Sequence, residues 1–484
     1  MARIAVVGVP LLLVPALGAV QGGFQPDAWV WAGALAAWAA ALGLTLTDRT
    51  GALRQAWLWP VAGAALLLWT TASHIWSAAP AQTLLEARRT VLYAAVVLAL
   101  VVLIRRGNSW AIVTATHIAV SALVVYALLR YLLGRRVHET FEGHLIAQPL
   151  GYANAVGILA VLGMLLALAP AVDGRSPGHR GLAAATVPPL TLALAFSGSK
   201  ASWLSLAFGL ATIAVLASNP RRVARTVGTL ALPSALLVWV AHASRLTHDG
   251  TPRIGGPVVV AIAAAAAVGA ALAVALGGRA REAGRGLSHR LAAAAAPAIL
   301  VFGAVAVFAA ADTTEPRRSY FAVAWHEFSA HPLLGSGAGT FGRYWLESTH
   351  YVQYGGALDA HSLYLETLAE LGPLGLLLLL AFLLYPLRFA VGNRGVPGVP
   401  AAAGAAVAFL VHAGVDWDWE LPAVVVAGLC CLAALAAADN RVHEDAPRLA
   451  RLAALACAVI LGLAAIAGTA SSAEPSAAQT FEAP

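Results

Sequence analysis

Apolar runs, each close to 20 residues, follow one another almost from end to end of the chain, separated by short polar breaks. About 20 apolar residues is the length of a helix that crosses the hydrocarbon core of a bilayer. A bilayer offers no water to backbone amides, so such runs are helices and not open strands. Runs bounded by charge, Gly and Pro centre near residues 12, 37, 63, 97, 120, 160, 188, 209, 234, 266, 301, 382, 407, 429 and 459. The pattern predicts an all-α, polytopic membrane protein of about 12–15 transmembrane helices, with one large extracytoplasmic loop carrying short amphipathic helices. It divides into N-terminal transmembrane helices over 1–311, the large loop over 312–370, C-terminal transmembrane helices over 371–468, and a polar tail over 469–484 that reads as disordered. The first apolar run, with Arg3 in front and many spans behind it, reads as a membrane helix and not a signal peptide. No internal repeat is visible.

Within the large loop the periodicity changes. Phe321, Ala324, Trp325 and Phe328 recur at helical spacing, so an amphipathic helix is predicted over 318–329. "HPLLGSGAGTF" then breaks it with turn chemistry that suits close backbone approach to a ligand. Its glycines follow no strand, which excludes a nucleotide fingerprint. Further on, "DAHSLYLETLAELGPLGLLLLLAFLL" (359–384) gathers Asp359, His361, Glu366 and Glu370 ahead of a leucine run. Asp359 is the predicted N-cap of a short helix ending near Leu371, with His361 in its first turn. Leu365, Leu368 and Leu371 form an apolar stripe. Glu366 and Glu370 stand at i,i+4 on another face, where like charges repel, which predicts an exposed face or a cationic partner. Gly372, Pro373 and Gly375 end the helix and turn the chain into the membrane. The polar cluster is thus expected on a short helix at the bilayer surface, at the depth of a lipid headgroup.

Composition agrees with this reading. The 484 residues are 60% hydrophobic and 11% charged, too little polarity to cover a soluble globule. Cys430, Cys431 and Cys457 lie in apolar runs and read as small core residues, with no metal spacing. The net charge of +7 is almost wholly arginine, and Lys200 is the sole lysine. No basic patch with interleaved aromatics supports a nucleic-acid partner. With the N-terminus in the cytoplasm, nineteen of the 30 Lys and Arg fall on the cytoplasmic side and eleven on the other, the direction of the positive-inside rule. The 312–370 segment then faces outward, together with the 134–150 loop, "SGSKAS" (197–202) and "VDWDWELP" (415–422). Cations on the disfavoured side suit an anionic ligand held at the outer face, the alternative being contact with lipid headgroups.

At His361 the sequence resembles a family. Bacterial O-antigen ligases and the polymerases grouped with them carry, in a large periplasmic loop, a histidine, then Asn, Ser or Gln, nine residues, Gly, two residues and Gly. His361-Ser362, nine residues and Gly372-Pro373-Leu374-Gly375 follow that pattern. "HPLLGSGAGTF" is similar to the family's "HPLLGVGPGNF". "WSAAPAQTLLEARRTVLYA" (76–94), "QPLGYANAVGILA" (148–160) and "SGSKASWLSL" (197–206) echo further segments in the right order, so the resemblance spans 76–384. Lys200 stands where the family usually has arginine, which keeps the charge and loses bidentate phosphate contact. The arginine expected at the start of the large loop is Arg317 or Arg318, and the spacing to Phe321 favours Arg317.

The resemblance implies a membrane glycosyltransferase. It would transfer or polymerise a glycan from an undecaprenyl-pyrophosphate-linked donor onto a glycan, lipid or protein acceptor, at the outer face of the cytoplasmic membrane and among membrane lipid. A base has to take the acceptor proton, and cations have to hold the developing pyrophosphate charge. His361 is the expected base, with a helix N-terminus and nearby arginines favouring its neutral form and Asp359 opposing them. Lys200, Arg317, Arg318, Arg88 and Arg89 are the expected phosphate contacts, and Asp359 joins them on the substrate side. Asp416 and Trp417 are expected either at an acceptor-sugar site, since indole faces stack on sugars, or in an aromatic belt with solvated acids. No Asp-rich metal cluster is visible, and the implied reaction uses neither metal nor cofactor. A polytopic transporter or flippase for anionic lipid-linked glycans would share the spans and the outer cations. It predicts ionisable groups or broken helices at the bilayer midplane, whereas most of the charge here lies in loops.

Overall fold

The computed structural model describes residues 2–46, 51–105, 107–134, 142–276, 315–439 and 445–467. Among these residues the chain is helical, with no strand. An N-terminal segment whose prolines, Pro10 and Pro15, remove backbone donors winds through a π-helical turn at Val9–Leu13. The main helices are α1 (Pro26–Leu46), α2 (Leu58–Ala72), α3 (Pro80–Leu103), α4 (Ser109–Leu133), α5 (Ala153–Asp173), α6 (Pro177–Ser197), α7 (Lys200–Leu216), α8 (Pro220–Ser244) and α9 (Gly256–Leu276). The large loop contributes α10 (Glu315–Ala330), α11 (Phe341–Glu347) and α12 (His350–Tyr354). Then follow α13 (Leu363–Leu384), α14 (Val399–Ala413), α15 (Pro422–Ala436) and α16 (Arg448–Ala467). Among the described residues eight helices are long and apolar enough to cross a membrane, and α7, α14, α15 and Ala5–Ala19 are shorter apolar helices. The protein is a polytopic helical membrane protein. The predicted centres fall in helices, except the one near 301, which lies outside the described residues together with the predicted disordered tail.

α5 is the axis of the bundle, buried nearly all round against α4, α6, α7 and α14. In a bilayer, helices gain little by hiding apolar surface from lipid, so close packing of small residues has to hold them. α7 and α14 do this at Gly209 and Gly404. A Cβ at either would press on the carbonyl oxygen of the other, so the two backbones touch. That crossing brings the N-terminus of α7 beside the C-terminus of α14.

Loops assigned by charge to one side contact one another. Arg388 donates to the Gln55 carbonyl (3.2 Å) and Ser218 to the Arg394 carbonyl (3.3 Å), while Arg222 lies 3.6 Å from Asp173. The 142–152 segment, the 197–202 turn, the large loop and the 415–421 turn meet in the same way around one cavity.

The large loop has its own small core, in which Tyr320, Val323 and Ala324 of α10 pack on Phe341, Trp345, Ala360 and Ala369. Its buried stripe is rotated from the predicted one. Trp325 is 57% exposed, while Glu327 is 0% exposed. A carboxylate tolerates that burial because Ser336 (2.6 Å) and Thr340 (2.8 Å) donate to it. The glycines of "HPLLGSGAGTF" do permit a close approach, but to the protein's own chain. Gly335 (φ 73°) lies against the Glu370 carbonyl and Gly337 (φ 108°) against Ser77, where any side chain would collide.

The start of α13 also departs from expectation. Ser362, not Asp359, is the N-cap, its hydroxyl accepting from the Leu365 amide. His361 precedes the helix, in the left-handed region at φ 53°. The two glutamates, expected on an exposed face or beside a cationic partner, are turned inward. Glu370, 6% exposed, accepts the amides of Gly339 (2.8 Å) and Phe341 (3.0 Å), and Glu366 accepts the Ala360 amide (2.6 Å). Gly372 (φ 69°, ψ −175°) breaks α13 where the sequence places a turn, and the Trp69 indole donates to the Leu371 carbonyl there (2.9 Å).

Candidate active site

A cavity of about 330 Å³ opens where these loops meet, walled by Tyr152, Asn154, Gly198, Lys200, Arg317, Tyr320 and His361. Three of the expected residues, Lys200, Arg317 and His361, are thereby brought to one space from three separate elements. Lys200 is the first residue of α7, whose N-cap is Ser199. Arg317 enters from the first turn of α10.

Asp416 organises one wall. It is 0% exposed and accepts from Tyr152 Oη (2.5 Å), Asn154 Nδ2 (2.7 Å) and Arg317 Nη2 (3.2 Å). A buried carboxylate with one cation and two neutral donors is compensated, and it fixes the guanidinium while leaving it at the cavity edge. The expectation of solvated acids at 416–420 is therefore overturned, since Asp418 is also 0% exposed. Trp417 packs behind the wall on Tyr152 in a tilted pair, with ring centroids 4.3 Å apart.

His361 is gripped on both sides. Its Nδ1 lies 2.9 Å from Asp359 Oδ1, and its ring stacks on Tyr320 at 4.4 Å and 20°. Nδ1–H pointing at the carboxylate leaves the accepting lone pair on Nε2. Burial pulls the imidazole pKa down, but Asp359 outweighs it, and the net shift is upward from 6.5. The neutral form is thus disfavoured, contrary to the expectation from a helix N-terminus, because His361 stands before the helix and beside an acid. A left-handed histidine costs free energy unless its surroundings hold it. Here Asp359 Oδ1 accepts the His361 amide (3.2 Å) and Glu366 accepts the preceding one.

The remaining expected residues lie elsewhere. Arg89 is 6% exposed, ion-paired with Glu86 and Glu420, and its charge also faces Glu366. It braces the turn that carries His361 from behind. Arg88 and Arg318 are not among the cavity walls, and Arg318 is exposed. Sequence reasoning missed Tyr152, Asn154 and Tyr320. The first two sit in the "GYAN" of a quoted echo, where polar side chains directly before an apolar run were the available signal.

Residues 185–380 match the model of a family described as O-antigen ligase. That match supports the resemblance to O-antigen ligases drawn from the His361 motif. No curated protein matches it at significance. The O-antigen ligase segment runs from within α6 to within α13 and holds Lys200, Arg317, Tyr320, Asp359 and His361. Tyr152 and Asn154 precede it and Asp416 follows it. The helices make this a multi-pass membrane protein, and the family matched implies glycan transfer in the membrane with lipid-linked glycans as the class of substrate.

Proposed function

We propose that the protein transfers a glycan from an undecaprenyl-pyrophosphate-linked donor to an acceptor hydroxyl at the outer face of the cytoplasmic membrane. The observation that carries this reading is the convergence of Lys200, the Asp416-held Arg317 and the Asp359-held His361 on one cavity. In the reaction the acceptor oxygen attacks the anomeric carbon and its proton passes to His361 Nε2. The bond from that carbon to the pyrophosphate oxygen breaks, and the electron pair leaves with the lipid pyrophosphate. Lys200 and Arg317 hold the charge that grows there, through charge-assisted contacts to the phosphate oxygens. Asp359 keeps the imidazole oriented and stabilises the imidazolium once it forms. The acceptor is a hydroxyl of a glycan, lipid or protein.

The test is a reconstituted assay with purified lipid-linked donor. His361→Ala should lose about 10²–10⁴-fold in transfer while still binding donor. Arg317→Ala should instead weaken donor binding. Full transfer by His361→Ala would leave the reaction without its base and sink the reading.

A further inference from the structure

Under the cavity floor lies a second polar cluster that the proposed chemistry does not use. His412, at the end of α14, places Nε2 2.9 Å from Ser202 Oγ and Nδ1 3.1 Å from Asp418 Oδ1. Ser202 Oγ donates to Ser199 Oγ at 2.8 Å, and Ser199 Oγ caps α7 by accepting the Ser202 amide. Proton accounting follows. Ser202 spends its one proton on Ser199, so toward His412 it accepts and Nε2 must carry hydrogen. Nδ1 faces a carboxylate, off the straight hydrogen-bond line, as in an ion pair.

The order Ser202, His412, Asp418 matches that of a nucleophilic triad, but Ser202, His412 and Asp418 are each 0% exposed, so no substrate reaches the hydroxyl. What the cluster does is join elements. Ser199 and Ser202 belong to the turn of α7 that begins with Lys200. Asp418 belongs to the turn that carries Asp416, and Asp416 holds Arg317. Elsewhere α7 and α14 meet through glycine backbones at Gly209 and Gly404, a contact without directional bonds.

We propose that His412 is a positioning residue for Lys200: by tying Ser202 to Asp418 it fixes the separation of the Lys200 and Arg317 charges to that which one pyrophosphate spans. The proposal rests on the reading of Lys200 as a donor ligand.

The test uses the full-length protein in nanodiscs with purified lipid-linked donor. Ser202→Ala, and His412→Leu combined with Asp418→Asn so that no lone charge stays buried, are each made in parental and Lys200→Ala backgrounds. In the parental background the double change should raise donor KM about 10- to 100-fold, the scale of an ångström-sized misplacement. Ser202→Ala should raise it less. Acceptor KM and kcat at saturating donor should stay near parental values. In the Lys200→Ala background neither change should raise donor KM further. Equal effects in both backgrounds would mean that His412 only holds the fold, and would overturn the proposal while leaving Lys200 as a ligand. A parental donor KM in Lys200→Ala alone would remove the Lys200 reading, and this proposal with it. Should the double change prevent folding, an unchanged donor KM in Ser202→Ala overturns the proposal.

Discussion

A histidine shared between a carboxylate and a phenol ring titrates differently from a free one. The His361 pKa stands above 6.5 because Asp359 outweighs burial. A base works only when deprotonated, so the acid limb of kcat/KM should lie above pH 6.5. Asp359→Asn removes the raising cause and leaves burial, which lowers the pKa. The limb should then move to lower pH, while the plateau rate falls because the imidazole is less well oriented. A pH profile of transfer checks this, and an unmoved limb would assign the titration to another group. The histidine was legible because its motif is compact, fifteen residues from His361 to Gly375 in one run of sequence. The Arg317–Asp416 pair was not, since the two stand 99 residues apart and only the fold brings them together.

α10 carries a buried acid, and the consequence is a pH-dependent loop. Burial raises the Glu327 carboxyl from 4.5 to about 7, against the opposing bonds from Ser336 and Thr340. Between those values the folded loop holds a proton that the unfolded chain has released. Stability contributed by Glu327 is therefore present at low pH and declines as pH rises from 4.5 through about 7. Glu327→Gln should flatten that decline in thermal unfolding measured across the range, and an unchanged slope would place the titration elsewhere. Helical periodicity located α10 but misjudged its buried face, because a large aromatic outranks a glutamate on any apolar scale. What reversed the ranking is local pairing, since Ser336 and Thr340 donate to Glu327 Oε1 from a turn that periodicity does not describe. Of the two alternatives offered for Glu366 and Glu370, an exposed face fails because backbone amides do not appear in a sequence as partners, while a cationic partner holds for Glu366, which the Arg89 charge faces.

At the scale of the whole molecule, sidedness is the expectation most open to test. A cysteine at Ser348, in the large loop, should react with an impermeant thiol reagent on intact cells, and one at Ser218 should not. The background for this is Cys457→Ala, as Cys457 is exposed whereas Cys430 and Cys431 are buried. Labelling at Ser218 alone would invert the topology and move the cavity to the cytoplasm. Spans were readable from end to end because apolar length is a strong signal. Their packing order around α5 was not, since it depends on glycine contacts such as Gly209 with Gly404 that carry no periodicity. The wall built on Asp416 has a consequence for exchanging parts between relatives. The matched segment contains the proposed base, His361, and both proposed cations, Lys200 and Arg317, but the anchor of Arg317 and its two supporting donors lie outside its ends. A graft of residues 185–380 into a foreign scaffold would carry the chemistry without the brace that aims it. The portable unit of this enzyme therefore extends from before Tyr152 to beyond Asp418, and an arginine changed at 317 needs its counterpart changed at 416.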